Sequence, residues 1–132
     1  MWTTETVMSW LTGLGVPVPI INGTGTIPDM PDRICVVTPI PGVGLALEGA
    51  ADTPGFQVRI RGAQNQPDDA ENIALDADRR ILGATFPTLV GTTQLVWVTR
   101  SGGRPAPLSA KPDDGGRTEF VCTYLARILE AP

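Results

Sequence analysis

Glycine and proline are concentrated in three stretches of this sequence, and they limit where helices and strands can form. The chain has 15 glycines and 13 prolines among its 132 residues, and the stretches cover residues 16–32, 39–55 and 101–116. Proline lacks a backbone N–H and has a fixed φ, so central strands exclude it. The three stretches therefore predict long loops, the first with room for a short edge strand near residues 18–21.

Apolar periodicity in the remaining sequence predicts two helices. In residues 4–14 apolar side chains recur at helical spacing, and Trp10 lies off the main stripe. In residues 68–82 alanine and isoleucine dominate the main stripe, while Leu75 and Leu82 fall to one side of it. Two apolar edges on one helix indicate two packing partners, so we expect Leu75 and Leu82 to contact something other than the main core.

Alternation of apolar and polar residues predicts the strands. The clearest is residues 56–61, where every second side chain is apolar. Residues 33–38 are apolar on both faces, which is typical of a central strand, and residues 94–100 form another strand. The composition of residues 117–129 also suits a helix, but their alternation favours a strand.

These elements together predict an α+β fold with long loops rich in glycine and proline. We expect a mixed or antiparallel β-sheet of about four to five strands packed by two helices. A chain of 132 residues has the usual length of one domain, so residues 1–132 are expected to form a single domain.

Charge and hydropathy exclude some classes of partner. The formal net charge of −4 and the sequence pI near 4.6 disfavour a protein that reads nucleic acid, which needs a basic face. No apolar run approaches the roughly 20 residues of a membrane span, so no membrane partner is expected. The first residues lack a secretion signal, which predicts synthesis in the cytoplasm. Cys35 and Cys122 lie far apart in apolar stretches and are expected to be buried free thiols.

The residue types of common catalytic sites are scarce. The chain has no histidine, and it contains no hydrolase, zinc-protease or phosphate-loop motif. The acidic groups at residues 68–71 and 113–116 are typical of a helix N-terminus and a turn. The sequence therefore predicts no catalytic residue, no metal site and no cofactor, and a small enzyme working without histidine is a remote alternative.

Two arginines stand side by side on the polar face of the predicted strand 56–61. Arg59 and Arg61 would lie about 7 Å apart, where two guanidinium groups repel each other unless carboxylates are near. The face is therefore solvated or paired with a helix, or it forms a salt bridge with another subunit.

Several short segments occur in a characteristic order along the chain. Met30-Pro31-Asp32 precedes the strand that begins near Ile34, and Gln57-Val58-Arg59-Ile60-Arg61-Gly62 leads into a helix. Gly102-Gly103-Arg104-Pro105 and residues 113–117 precede the last strand. In this layout the chain resembles the tail terminator, or minor capsid, proteins of long-tailed bacteriophages.

The resemblance implies a structural protein of the virion, without enzymatic activity, located at the tail–neck junction. Proteins of this kind form a ring of six copies that ends growth of the tail tube and joins the tail to the head. The implied partners are further copies of the chain, the major tail tube protein and a head-completion or neck protein. Genomic DNA would pass through the lumen without specific binding. A head-completion or connector protein of the neck is the alternative.

The long loops and several side chains are candidates for contacts in such a ring. Residues 39–55 and 101–116 are expected to contact neighbouring subunits or the tube. The side chains that we expect at a subunit or tube interface are Trp10, Arg59, Arg61, Leu75, Leu82, Arg104 and Arg117.

Overall fold

One seven-stranded sheet and two helices contain most of the residues that the computed structural model describes, which are residues 1–44 and 51–130. The helices are α1 (Thr4–Gly13) and α2 (Asp69–Leu82). The strands are β1 (Ile20–Asn22), β2 (Ile34–Val43), β3 (Ala51–Arg61), β4 (Thr88–Val90), β5 (Thr93–Arg100), β6 (Ala106–Pro107) and β7 (Glu119–Glu130).

The sheet is mixed, which is one of the two arrangements that the sequence predicts. Its strands lie in the order β1-β2-β3-β7-β5-β4, and β6 pairs with the part of β7 that β5 leaves free. β1 runs parallel to β2, and the other paired strands are antiparallel. The predicted α+β class is confirmed, but the count of four to five strands was too low. The additional strands β4 and β6 have only three and two residues, too few to show an alternation.

Both helices begin and end close to the predicted residues. α1 starts at a capping box in which the Thr6 backbone N–H donates to the Thr3 hydroxyl over 3.3 Å, and the Thr3 N–H donates to the Thr6 hydroxyl over 3.2 Å. α2 has acidic residues in its first turn and two arginines in its last, which suits the helix dipole. Within residues 1–44 and 51–130, neither helix has the length and apolar character that crossing a membrane requires.

The predicted loop over residues 39–55 is wrong where the structure describes it. β2 continues through Pro39 to Val43, and β3 begins at Ala51. β1 pairs with β2 only as far as Val37, so the rest of β2 is an edge, where prolines are tolerated. The register shifts between Ile40 and Val43, at a β-bulge where Gly42 has a φ of 71°. The remaining residues of this prediction, 45–50, lie outside the described residues.

The core lies between the helices and one face of the sheet, here called the inner face. Phe56 on β3 stacks on Tyr124 of β7 with ring centres 5.3 Å apart, and Trp10 of α1 meets Phe56 edge-on at 6.4 Å. These rings belong to one continuous cluster of buried side chains from both helices and the central strands. The opposite face of the sheet, here called the outer face, has no helix on it within the described ranges.

Both cysteines are buried and free, which confirms the prediction. Cys35 lies on the inner face opposite Ile60 of β3. Burial raises the pKa of the Cys35 thiol to about 12, so the thiol is protonated at neutral pH and behaves as a small apolar side chain.

Trp10 belongs to the buried side of α1. Only 7% of the residue is exposed. Val7, Trp10 and Leu11 are the buried residues of this helix, and their spacing of three and four residues places Trp10 within the buried stripe. The prediction that Trp10 lies off the main stripe was wrong, and little of the indole is left for contact with another chain.

Replacing this indole tests its place in the core. Trp10→Ala removes the edge-on contact with Phe56 and leaves a cavity, and we expect the free energy of unfolding to fall by about 3–5 kcal/mol. Urea unfolding followed by circular dichroism measures the loss. Leu89→Ala is the control, because Leu89 is 71% exposed, and it should change the stability by less than about 0.5 kcal/mol. Equal effects of the two substitutions would contradict the assignment.

Candidate assembly interface

The outer face of the sheet is covered over only part of its area. Ile34 and Val36 of β2 point to this face and are 0% and 2% exposed. The segment 23–32 lies over them: a Cβ on Gly23 would stand 2.2 Å from the hydroxyl oxygen of Thr38 and 3.0 Å from Val36. The proline-rich segment after β1 therefore acts as the cover for one half of the outer face.

Arg61 holds this cover in place. It is 5% exposed, and its guanidinium donates to the backbone carbonyls of Pro28, Asp29, Pro31 and Asp32 over 2.8 to 3.0 Å. The four carbonyls accept from Nε and Nη2, and among the described residues no acidic side chain forms an ion pair with this guanidinium. The partners that the sequence left open for Arg61 are thus backbone groups of its own chain, and its side chain is not available to a neighbour.

Arg117 also binds the segment 23–32. Its guanidinium lies 3.0 Å from Asp29, 3.5 Å from Asp32 and 3.0 Å from Asp113. It also donates to the backbone carbonyl of Asp29 over 2.6 Å. Arg117 is 9% exposed, so this predicted interface residue is engaged within its own chain and ties residues 29–32 to the loop before β7.

The acidic side chains around Arg117 line a cleft. Backbone N–H groups of Arg117 and Gly115 donate to Asp113 over 2.9 Å each. Together with the Arg117 guanidinium they hold the pKa of Asp113 below its ordinary value, against the opposite effect of burial. Within residues 1–44 and 51–130, no three His, Cys, Asp or Glu side chains are placed to hold a metal ion.

The other predicted interface residues are more exposed. Arg59 lies 3.6 Å from Glu119 of β7, and its side chain is 28% exposed. Leu75 is partly buried and Leu82 is 38% exposed. Arg104 lies exposed in the loop between β5 and β6. The structure does not bring these residues together in one cluster, because Arg59 lies on the outer face and the two leucines lie on α2.

Sequence reasoning missed a buried ion pair that fixes α2 on the sheet. Asp78 is 5% exposed, and it accepts from the Tyr124 hydroxyl over 2.7 Å and from both Nε and Nη2 of Arg100. Burial acts to raise the pKa of Asp78, but the hydrogen bonds from Arg100 and Tyr124 outweigh it and lower that pKa. The signal was present in the sequence, since Asp78 is spaced four residues from Ala74 and three from Ile81 on the buried stripe.

The second half of the outer face is exposed in part: Ala51 and Thr53 of β3 are buried there, whereas residues on β5 and at the end of β7 are exposed. Trp97 and Leu129 are each 39% exposed there, on neighbouring strands β5 and β7. Tryptophan and arginine are enriched at protein–protein contacts, and Trp97 lies opposite Arg127 on this face. Fold and surface together define an α+β protein in which part of one sheet face, around Trp97 and Leu129, is exposed.

Comparison with known families identifies that class more closely. The family described as bacteriophage tail terminator protein matches residues 12–130, almost the whole chain. The chain therefore belongs to the bacteriophage tail terminator family, a family of structural proteins of the phage tail, and is associated with the virion. A search of curated proteins finds no match.

Arg61 and Arg59 offer a matched pair of substitutions on one strand. Arg61→Lys keeps the charge but cannot reach four carbonyls, and we expect a loss of about 2–4 kcal/mol in the free energy of unfolding. Arg59→Lys should change it by less than about 0.5 kcal/mol, because its single ion pair is partly exposed. Chemical denaturation of both variants measures the difference, and a stability of Arg61→Lys equal to wild type would refute the role of Arg61 as the anchor of the cover.

Asp78 predicts an acid-dependent loss of stability. The folded-state pKa lies below the ordinary value of 3.8, so the stabilisation is complete above that value and is lost as the pH falls through the folded pKa. Asp78→Asn should lower the free energy of unfolding at pH 7 by about 2–3 kcal/mol and make its decline towards pH 3 shallower. Asp114→Asn is the control, because Asp114 is exposed and forms no ion pair within residues 1–44 and 51–130. Unfolding free energies measured between pH 7 and pH 3 test both; parallel curves for wild type and Asp78→Asn would contradict the assignment.

Proposed function

We propose that six copies of this chain form a ring that ends growth of the tail tube and joins the tail to the neck of the head. The observation that carries the proposal is the match of residues 12–130 to the tail terminator family. It spans both central strands β3 and β7 and the whole of α2, so it concerns the folded body of the protein.

The surface of the chain supports a role in assembly. Large apolar side chains remain exposed on two different parts of the fold: Trp97 and Leu129 on the outer face, and Leu82 on α2. A subunit of a cyclic ring needs two different contact surfaces, one for each neighbour. In the proposed ring, one of these exposed regions contacts the preceding copy and the other contacts the following copy.

The ends of the sheet supply surfaces for partners other than the ring. Residues 101–104 and 106–114 are exposed, and they include Arg104 and Lys111. The end of β2, residues 41–44, is exposed as well. In the proposed assembly these segments contact the major tail tube protein on one side of the ring and a head-completion or neck protein on the other.

The charge of the chain suits a ring through which DNA passes. Each copy has a formal net charge of −4, and six copies multiply that charge. A negative ring repels phosphate groups, so that the genome slides through the lumen without specific binding.

The length of tail tubes tests the proposal. Purified tail tube protein is polymerised with and without this chain, and tube lengths are measured by negative-stain electron microscopy. We expect the chain to stop elongation, to bind at tube ends and to give bound particles of sixfold symmetry. An unrelated acidic protein of similar size and charge is the control.

Two results would overturn the proposal. Tubes that elongate equally with and without the chain would exclude termination. Binding along the sides of tubes, with no particle at the ends, would exclude a terminal ring. A particle that binds the neck protein and leaves tube growth unaffected would favour the alternative, a head-completion or connector protein.

A further inference from the structure

We propose that neighbouring copies meet through two defined patches, and this inference rests on the ring of the proposed function. The sheet patch is formed by Trp97, Leu125, Arg127 and Leu129 on the outer face. The helix patch is formed by Glu71, Leu75 and Leu82 on α2. The sheet patch of one copy binds the helix patch of the next.

The sheet patch is continuous across two strands. Trp97 on β5 lies directly opposite Arg127 on β7, and Thr99 and Gln94 lie opposite Leu125 and Leu129. A β-bulge between Leu95 and Trp97 turns Trp97 to the outer face while Leu95 stays in the core. Cross-strand neighbours and residues two apart on one strand have side chains in mutual reach, so the aromatic ring and the leucines surround the arginine.

Arg127 is the charged centre of the sheet patch. Its Nη1 donates to the Thr53 hydroxyl over 3.0 Å, and among residues 1–44 and 51–130 it forms no ion pair. The other outer-face arginines differ, since Arg61 binds four carbonyls and Arg59 lies near Glu119. Arg127 thus retains donors for a carboxylate supplied from outside the chain.

The helix patch carries the complementary groups. Glu71, Leu75 and Leu82 are spaced by four and seven residues, which places them on one side of α2. Leu82 is 38% exposed, and Glu71 and Leu75 are partly buried. The described part of the chain places no cation within 4 Å of Glu71, whereas the acidic residues farther along α2 pair with Arg79, Arg80 and Arg100.

The two patches match in charge and in apolar character. Glu71 of one copy supplies the carboxylate for Arg127 of the next, while Leu75 and Leu82 cover Trp97 and Leu129. The patches lie on different layers of the fold, one on the sheet and one on a helix. Contact between different patches is heterologous, and heterologous contacts form a closed ring when the rotation between neighbouring copies closes.

Charge reversal tests the contact in the full chain. Arg127→Glu and Glu71→Arg should each weaken association at least about tenfold, measured as assembly mass by sedimentation velocity or native mass spectrometry and as copies bound per tube end. Lys111→Glu and Asp114→Arg make the same changes of charge at exposed positions outside both patches. They are controls for assembly mass in solution, which should equal that of wild type, because residues 106–114 belong to the segments proposed to contact the tube or neck. Arg127→Gln and Glu71→Gln serve as milder variants if a reversal lowers the unfolding midpoint.

Rescue identifies the pairing. The double variant Arg127→Glu/Glu71→Arg restores one attractive pair at every contact, and so does an equimolar mixture of the two single variants in an alternating ring. Both should associate to within about threefold of wild type, because only residues in contact are coupled in this way. Rescue by the mixture is specific to a contact between two different patches.

The outcomes distinguish a failure of the patch contact from a failure of the proposed function. The patch contact would be overturned if the reversed single variants fold and assemble like wild type. It would also be overturned if neither the double variant nor the mixture restores association. Both results leave termination intact. Variants that assemble normally and no longer bind tubes would show that the patches bind the tube protein instead. Assembly through the patches without any effect on tube length would overturn only the proposed function. A wild-type chain that is monomeric both in solution and at tube ends would overturn both.

Discussion

Within residues 1–44 and 51–130, helices pack on only one face of the seven-stranded sheet, and the rest of the structure depends on how the other face is covered. α1 and α2 bury the inner face and form the core with it. The outer face also carries apolar side chains, because β2 is buried on both sides over residues 34–37. Residues 23–32 cover that half, and the half around Trp97 and Leu129 stays exposed in part. The exposed half is therefore a property of the fold itself.

Buried charged side chains attach residues 28–32 and α2 to the two faces of the sheet. Arg61 and Arg117 hold residues 28–32 on the outer face, and Asp78 holds α2 on the inner face through Arg100 and Tyr124. Within the described ranges, no buried side-chain nitrogen or oxygen lacks a hydrogen-bond partner. A satisfied buried charge adds little net stability, but removing one partner leaves the other desolvated. These groups thus determine where the loop and the helix attach more than how tightly the sheet packs.

Local patterns predicted the elements whose environment is uniform along their length. The alternation of residues 56–61 identified β3, and the small-residue stripe of residues 68–82 identified α2. The extension of β2 through Pro39 was not predictable, because it depends on where its neighbour β1 ends. The partners of Arg61 were not predictable either, since they are backbone carbonyls about 30 residues away in sequence. Sequence reasoning named Leu75 and Leu82 as contact residues, but it did not single out Trp97 or Arg127, whose surroundings depend on the pairing of β5 with β7.

The exposed part of the outer face, around Trp97 and Leu129, gives a physical reason for assembly. In the proposed ring each copy supplies through α2 the cover that its neighbour lacks, so that the outer face receives from another subunit what residues 23–32 provide within the chain. Residues 41–44 and 101–114 lie outside both patches. Subunit contact and docking to the tube or neck then use separate surfaces, and a ring of this design can form before it meets either partner.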